Sequence, residues 1–439
     1  MHASVRRLAL LAAPALLVLT TGASAGPAAQ AAPAAPEPAP PSATGCSAGS
    51  AIAKKLPNGT TWRMCWHNSP TAGLVLENVS YQPRHESRPI KVLASARLAQ
   101  INVPYDNGAQ EYNDVTSFYF GSTPEKLAPA DCPGGTVKNI RVEGERPVPA
   151  LCVTTQPRGF AYHGNSSDIG EDPGRTDSAQ GDDLVVYVVN SVGYYHYITQ
   201  WNFSDDGTVT AKEGATGNLS PADYDAGDTT GMPLGKGNRD KATSHHHNVF
   251  WRLDFDIDGS EKAKVEQWDT KPDGRSADGV ARLRTTRKRL VKETAGDAAP
   301  SRWWRVVSNT GKNADGHPRS WEIVQQHTDK YAPHEYTSHD VYFTQYKGCE
   351  KYASGNREFE PRCADTVDRF VDGQELTRPV VWVNVGFHHI ARDEDQAPMP
   401  VHWQGFQVAP RDVTAMSPIT PDHLHDPRYN GEPRWEEGQ

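Results

Sequence analysis

From Cys46 onward, apolar and polar residues alternate along much of the chain with a period of two, the period of extended strands. Phe250 to Asp256 shows it cleanly, with Trp251, Leu253 and Phe255 on one side and Arg252, Asp254 and Asp256 on the other. Val185-Val186-Tyr187-Val188-Val189 is a β-branched and aromatic run of strand type. Val380 to Phe387 is apolar nearly throughout, as a strand buried on both faces would be. Asp206-Gly207, Asp258-Gly259 and Pro272-Asp273-Gly274 read as turns between such runs. Nothing longer than two turns carries an amphipathic helical pattern. The pattern predicts an all-β fold.

Composition supports this. The 439 residues include 37 Gly and 34 Pro, which disfavour long helices. A hydrophobic share of 37% suffices for a large core. Gly26 to Thr44 is almost entirely Ala and Pro, the composition of an extended tether. Before it, Arg6 and Arg7, the apolar stretch Leu8 to Thr20 and Ala23-Ser24-Ala25 have the layout of a signal peptide. That stretch is too short to span a bilayer comfortably, and no later one is longer. The expected organisation is a signal peptide at 1–25, a linker at 26–44, a short appendage at 45–72 and one large domain at 73–439. The expected location is extracellular.

The net charge of −9, with Lys and Arg scattered, leaves no basic footprint for nucleic acid or anionic lipid. An acidic exterior suits cationic small molecules such as amines, although most soluble proteins share it. Six cysteines in an oxidising compartment suggest three disulfides. Pairing by shortest loop gives Cys46–Cys65, Cys132–Cys152 and Cys349–Cys363, one of fifteen connectivities. A thiolate metal site would want a C-x-x-C spacing, and none occurs.

Histidine placement carries the chemistry. His245, His246 and His247 lead into a strand, so His245 and His247 project together, toward the apolar side of Val249, Trp251, Leu253 and Phe255. Two imidazoles so placed form a chelating pair for copper or zinc, or else a solvated histidine-rich turn. His388 and His389 end the run from Val381 to Phe387, and alternation puts His389 with Val381, Val383, Val385 and Phe387. It is either a third ligand or a buried, hydrogen-bonded core histidine. No His-Glu-x-x-His arrangement accompanies these residues, which argues against a zinc hydrolase.

His245-x-His247 with Phe250 and Arg252 to Gly259 resembles the copper-ligand strand of copper amine oxidases. Gly386 to Asp395, continuing to Met399-Pro400-Val401, resembles their third-ligand segment. The resemblance extends from about Gly73 to Pro418. It implies a large β-sandwich, a homodimer, and copper held by His245, His247 and His389, with His388 a neighbour. In that family a tyrosine becomes topaquinone, which condenses with a primary amine while O2 regenerates it; here the matching residue is Tyr195, with Tyr197 at the motif's last position. Tyr194 stands where the family has asparagine and His196 where it has an acid. A bulky Tyr194 would misplace or seal the site, and His196 is a candidate further ligand. The resemblance nominates Asp114 as the general base and Tyr105 as the residue hydrogen-bonded to the quinone. It also matches Cys132 with Cys152. It further implies a calcium site at Asp254, the Phe255 carbonyl and Asp256. Arg378, in place of another ligand, argues against that ion, since a guanidinium can satisfy the carboxylates. The alternative to an oxidase is a copper-binding relative without quinone chemistry, or with another copper-dependent oxidation.

Overall fold

Strand runs pair into two large antiparallel sheets in a computed structural model that describes residues 45–108, 110–165, 176–220, 230–237, 240–299, 301–326, 329 and 331–421. The expected signal peptide and tether lie outside the described residues. From edge to edge, the first sheet runs Ala51–Lys55, Thr61–Ser69, Gly73–Gln82, Ile90–Pro104, His245–Phe255, Pro379–His389, Val341–Gln345 and Thr294–Gly296. Glu111–Asn113 adds to Ile90–Pro104. The second sheet runs Ala281–Leu290, Ala263–Arg275, Arg302–Lys312, Pro318–Gln325, Met399–Arg411, Val209–Gly217, Tyr195–Ser204, Thr176–Val192, Val148–Asn165 and Thr136–Ile140. The α-helices among the described residues are single turns of four residues.

The sheets face each other over one continuous apolar core. Trp251 of the first sheet meets Trp201 of the second edge-to-face at 5.0 Å and Phe406 at 6.1 Å. Trp62 meets Phe203 at 5.1 Å. Such aromatic pairs bury large apolar areas and favour tilted geometries, which fixes the sheet spacing. The result is an all-β sandwich. The strands of 45–72 are hydrogen-bonded into the first sheet, and Trp62 and Met64 are buried in the shared core.

Val381, Val383 and Val385 join the inter-sheet core, while Val380 and Trp382 join a second cluster on the outer face with Phe250, Tyr336 and Tyr342. Pro379–His389 is therefore covered on both faces, as its apolar run predicts. The outer face of His245–Phe255 is also covered, despite its polar residues. Arg252 lies buried against the Glu350 carbonyl at 2.9 Å, with its guanidinium over Trp382 and Tyr346. One turn expectation is corrected. Pro272-Asp273-Gly274 lies inside Ala263–Arg275, where the register shifts by a bulge, and the chain reverses at Ser276 to Val280. A bulge absorbs the proline, which has no amide proton to give a ladder.

All three local disulfides are present, Cys46–Cys65, Cys132–Cys152 and Cys349–Cys363. No helix among the described residues is long and apolar enough to cross a membrane.

Candidate active site

Two adjacent central strands set the site. His245 opens one and pairs directly across from His389, which ends the other. Alternation sends His245 and His247 inward and His246 outward, where it stacks on His388 with ring centroids 5.8 Å apart. One ring nitrogen from each of His245, His247 and His389 lies within 4.8 Å of the other two, and all three residues are buried.

Across the core, the hairpin between Thr176–Val192 and Tyr195–Ser204 turns at Gly193, whose φ of 59° suits glycine. Alternation then buries Tyr195 and Tyr197 and exposes His196. His196 therefore points away from the other imidazoles, which removes it as a further ligand. The Tyr195 hydroxyl lies 2.6 Å from His245 Nε2 and 2.9 Å from His389 Nδ1.

Hydrogen bonding assigns the imidazole protons. Tyr197 Oη donates to Asp114 Oδ2 at 2.7 Å and lies 3.3 Å from His247 Nδ1. A hydroxyl has one proton, so His247 Nδ1 is the donor in the second contact and Nε2 keeps its lone pair. That Nε2 is buried without a hydrogen-bond partner, as a metal ligand's free atom would be. His389 Nε2 lies 2.9 Å from Asp395 Oδ2, which also accepts from the Arg392 amide at 3.0 Å. A carboxylate oxygen only accepts, so Nε2 holds the proton and Nδ1 faces the trio with its lone pair.

Burial holds the pKa values of His245 and His247 well below the usual imidazole range, and nearby histidines depress them further. Burial also lowers that of His389, against the pull of Asp395. Neutral imidazole is the metal-binding form. Three neutral imidazoles beside a phenol oxygen suit copper, so the residues fit the ion that the sequence implies.

Asp114 opens the four-residue helix Asp114–Ser117. Gln100, on a central strand, pins that helix: its Oε1 accepts from the Val115 amide at 3.1 Å, and its Nε2 donates to Thr116 Oγ1 at 2.9 Å. Asp114 is only 5% exposed. Burial pushes its carboxyl from 3.8 up to about 7, partly offset by the Tyr197 hydrogen bond. Tyr105 bridges His245 through the backbone and stacks on its ring at 4.8 Å. A cavity of about 260 Å³ touches Tyr105, Asp114, Tyr195 and Tyr197. Tyr194, expected to misplace or seal the site, leaves this space open and is itself 51% exposed.

Farther off, Arg378 bonds Asp254 at 2.8 Å and Glu261 at 2.7 Å, while Lys91 takes Asp256 at 3.2 Å. Two side-chain cations, rather than Arg378 alone, thus neutralise the carboxylates of the implied calcium site. Sequence reasoning missed Gln100, Asp395 and His402, whose ring lies 4.4 Å from that of His389. It placed Tyr197 in the motif without a role. Each acts through a contact distant along the chain or across a turn, which alternation does not reveal.

Residues 58–421 match the family described as copper amine oxidase, enzyme domain. The chain is 27% identical over 391 residues to the peroxisomal copper-containing amine oxidase alpha 2 of Arabidopsis thaliana, covering 79% of this chain and 57% of that protein. It is 26% identical over 376 residues to the histamine oxidase of Arthrobacter globiformis, covering 77% and 53%. Its fold is similar to that of a copper-containing benzylamine oxidase from Hansenula polymorpha, with TM-score 0.71 and 21% identity over 84% of this chain and 62% of that one. The chain spans a little over half the length of these curated relatives. With the family match covering most of its length, the chain belongs to the copper amine oxidases, through their enzyme domain.

Proposed function

We propose that this chain is a copper-dependent primary amine oxidase, converting a primary amine, O2 and water to an aldehyde, ammonia and hydrogen peroxide. Tyr195 is the precursor of its topaquinone. The observation that carries this reading is the Tyr195 hydroxyl, 2.6 Å from His245 Nε2 and 2.9 Å from His389 Nδ1. A phenol so placed is where copper and oxygen could reach it.

Copper on His245, His247 and His389 would supply redox chemistry with oxygen, and a quinone at Tyr195 an electrophilic carbonyl and electron sink. The remaining work falls to this chain's own side chains. Asp114 takes the proton from the carbon next to the substrate nitrogen, a task suited to a shielded carboxyl with a pKa near neutrality. Tyr197 holds that carboxyl in place through its hydroxyl. Tyr105, stacked on His245, closes one wall beside Tyr195. The reading includes export, supported by the layout of residues 1–25, and a homodimer, supported by the family resemblance.

The test is peptide mass spectrometry across Tyr195 after aerobic copper loading. Conversion adds mass to Tyr195, and the loaded protein turns pink and reacts with phenylhydrazine. The second reading, copper binding without quinone chemistry or with another oxidation, draws on Tyr194 and His196, which flank Tyr195 in place of the family's residues. Stoichiometric copper with an unmodified Tyr195 would select it.

A further inference from the structure

A row of polar side chains crosses the inner face of the second sheet. Glu213, on Val209–Gly217, pairs with Thr199 on one side and with Gln404 on the other. Alternation turns all three toward the inter-sheet core, in line with the apolar Ala211, Ala215, Trp201 and Phe406. Thr199 and Glu213 are fully buried, and Gln404 is 3% exposed. Thr199 Oγ1 donates to Glu213 Oε1 at 3.2 Å. Glu213 Oε2 and both polar side-chain atoms of Gln404 are buried with no hydrogen-bond partner among the described residues. The next row, toward the histidine trio, carries Tyr197, Ala215 and His402. Ala215 is small, and the His402 ring lies 4.4 Å from that of His389.

Proton placement at His402 adds to the set. Arg392 donates to His402 Nε2 at 3.2 Å, so that nitrogen holds the lone pair and Nδ1 carries the proton. His402 Nδ1 is also buried with no partner among the described residues. In the row beyond Glu213, Trp201 meets Trp251 of the first sheet at 5.0 Å, and each buries an unpartnered indole N–H. Buried polar groups are almost always hydrogen-bonded, so this many without a partner in one interior point to a ligand. Its chemistry follows from theirs. Gln404 Oε1 accepts, His402 Nδ1, Gln404 Nε2 and the indoles donate, and Glu213 Oε2 does either according to its proton. That mixture suits neither a bare cation nor an anion, and it suits water. Burial pushes the Glu213 carboxyl well above the usual range, against the pull of the Thr199 hydrogen bond, so the group is neutral and needs no counter-ion. None of Thr199, Glu213, His402 and Gln404 lines the cavity at Tyr195.

We propose that the inter-sheet core beside His389 holds a cluster of internal water, anchored by Glu213 and Gln404 and reaching His402 Nδ1. This gives that interior water of its own, separate from the cavity at Tyr195. The inference stands apart from the oxidase reading and is tested in copper-free protein. A high-resolution crystal structure of the full chain is expected to show about two ordered waters joining Glu213 Oε2, Gln404 and His402 Nδ1, since a buried water typically makes about three hydrogen bonds. No density between these groups, Glu213 and Gln404 bonded directly to each other, or an ion in that place would each overturn the proposal. Infrared spectroscopy at pH 8 reads the carboxyl independently. The wild-type protein is expected to show a protonated-carboxyl stretch that Glu213→Gln lacks. Identical spectra would make Glu213 an ionised group that needs a cation, and water would fall as the ligand. Glu213→Gln keeps the row polar and is expected to retain the waters in its own crystal structure. Glu213→Leu combined with Gln404→Leu removes both anchors and is expected to lose them. Waters unchanged in that double variant would show that the row does not hold them. The wild-type density decides the matter even where the double variant does not fold.

Discussion

Asp395 accepts a hydrogen bond from His389 Nε2 at 2.9 Å, and this one contact decides which nitrogen of His389 faces the other two imidazoles. The carboxylate is fully buried and also takes the Arg392 amide, so the imidazole is held in orientation as well as in tautomer. Partners of this kind typically contribute ten- to a hundredfold to metal affinity. Asp395→Asn keeps the shape but removes the charge. It is expected to weaken copper binding by about tenfold or more in a chelator competition. It should also alter the copper(II) electron paramagnetic resonance signal, which a remote folding defect would leave unchanged in the copper-bound fraction.

Tyr197 joins the proposed base to a proposed ligand, donating to Asp114 and receiving from His247. Tyr197→Phe takes both contacts away. The lost hydrogen bond had favoured the charged carboxylate, so the Asp114 pKa moves further above about 7. The ascending limb of kcat/KM against pH is expected to shift to higher pH, and His247 loses the partner that fixed its tautomer. A profile that keeps its position while falling uniformly would show that Tyr197 serves packing alone.

How far the sequence foretells such contacts depends on their range. A period of two placed His245 and His247 on one face because that relation is local. It also put His389 on the inner face of its own strand. That His389 sits opposite His245 depends on strand register, set between segments far apart in the chain. Asp395 reaches His389 only because the chain turns through Asp393–Asp395, and the proton order at Tyr197 needs Asp114 from another part of the chain. The outer polar face of His245–Phe255 reads as solvated in isolation. It is buried because the segment carrying Tyr336, Tyr342 and Glu350 folds over it. Family resemblance supplied the long-range pairing that periodicity lacks, and it stopped short at Asp395 and Gln100.

The inter-sheet core gives a stability test independent of the chemistry. Trp251 is fully buried between Trp201 and Phe406, on the same inward face of its strand as His245 and His247. Trp251→Ala leaves a cavity in a close-packed interior and is expected to cost about 3–5 kcal/mol in urea unfolding. Trp251→Phe fills part of that space and should cost clearly less. Equal losses for both would mean that ring volume is not what this contact contributes.

Under the proposed function, Asp114 would tie catalysis to stability through one proton. Its folded pKa of about 7 lies above the ordinary 3.8, so the folded chain holds the proton more tightly than the unfolded chain does. The folded state is thus favoured most below about pH 4, and that advantage is lost as pH rises through 7, after which the cost is constant. At pH 8 the buried carboxylate costs on the order of 4 kcal/mol, an upper figure. Asp114→Asn removes the charge and still accepts from Tyr197. In the copper-free chain it should stabilise the fold at pH 8, with the gain fading toward pH 4, as read from urea midpoints across that range. In the loaded enzyme the same change should lower kcat/KM by about a hundred- to ten-thousandfold and abolish the ascending limb near pH 7. A variant that is slower but no more stable at pH 8 would place the titrating group elsewhere. One that is more stable yet equally active would remove Asp114 from the reaction.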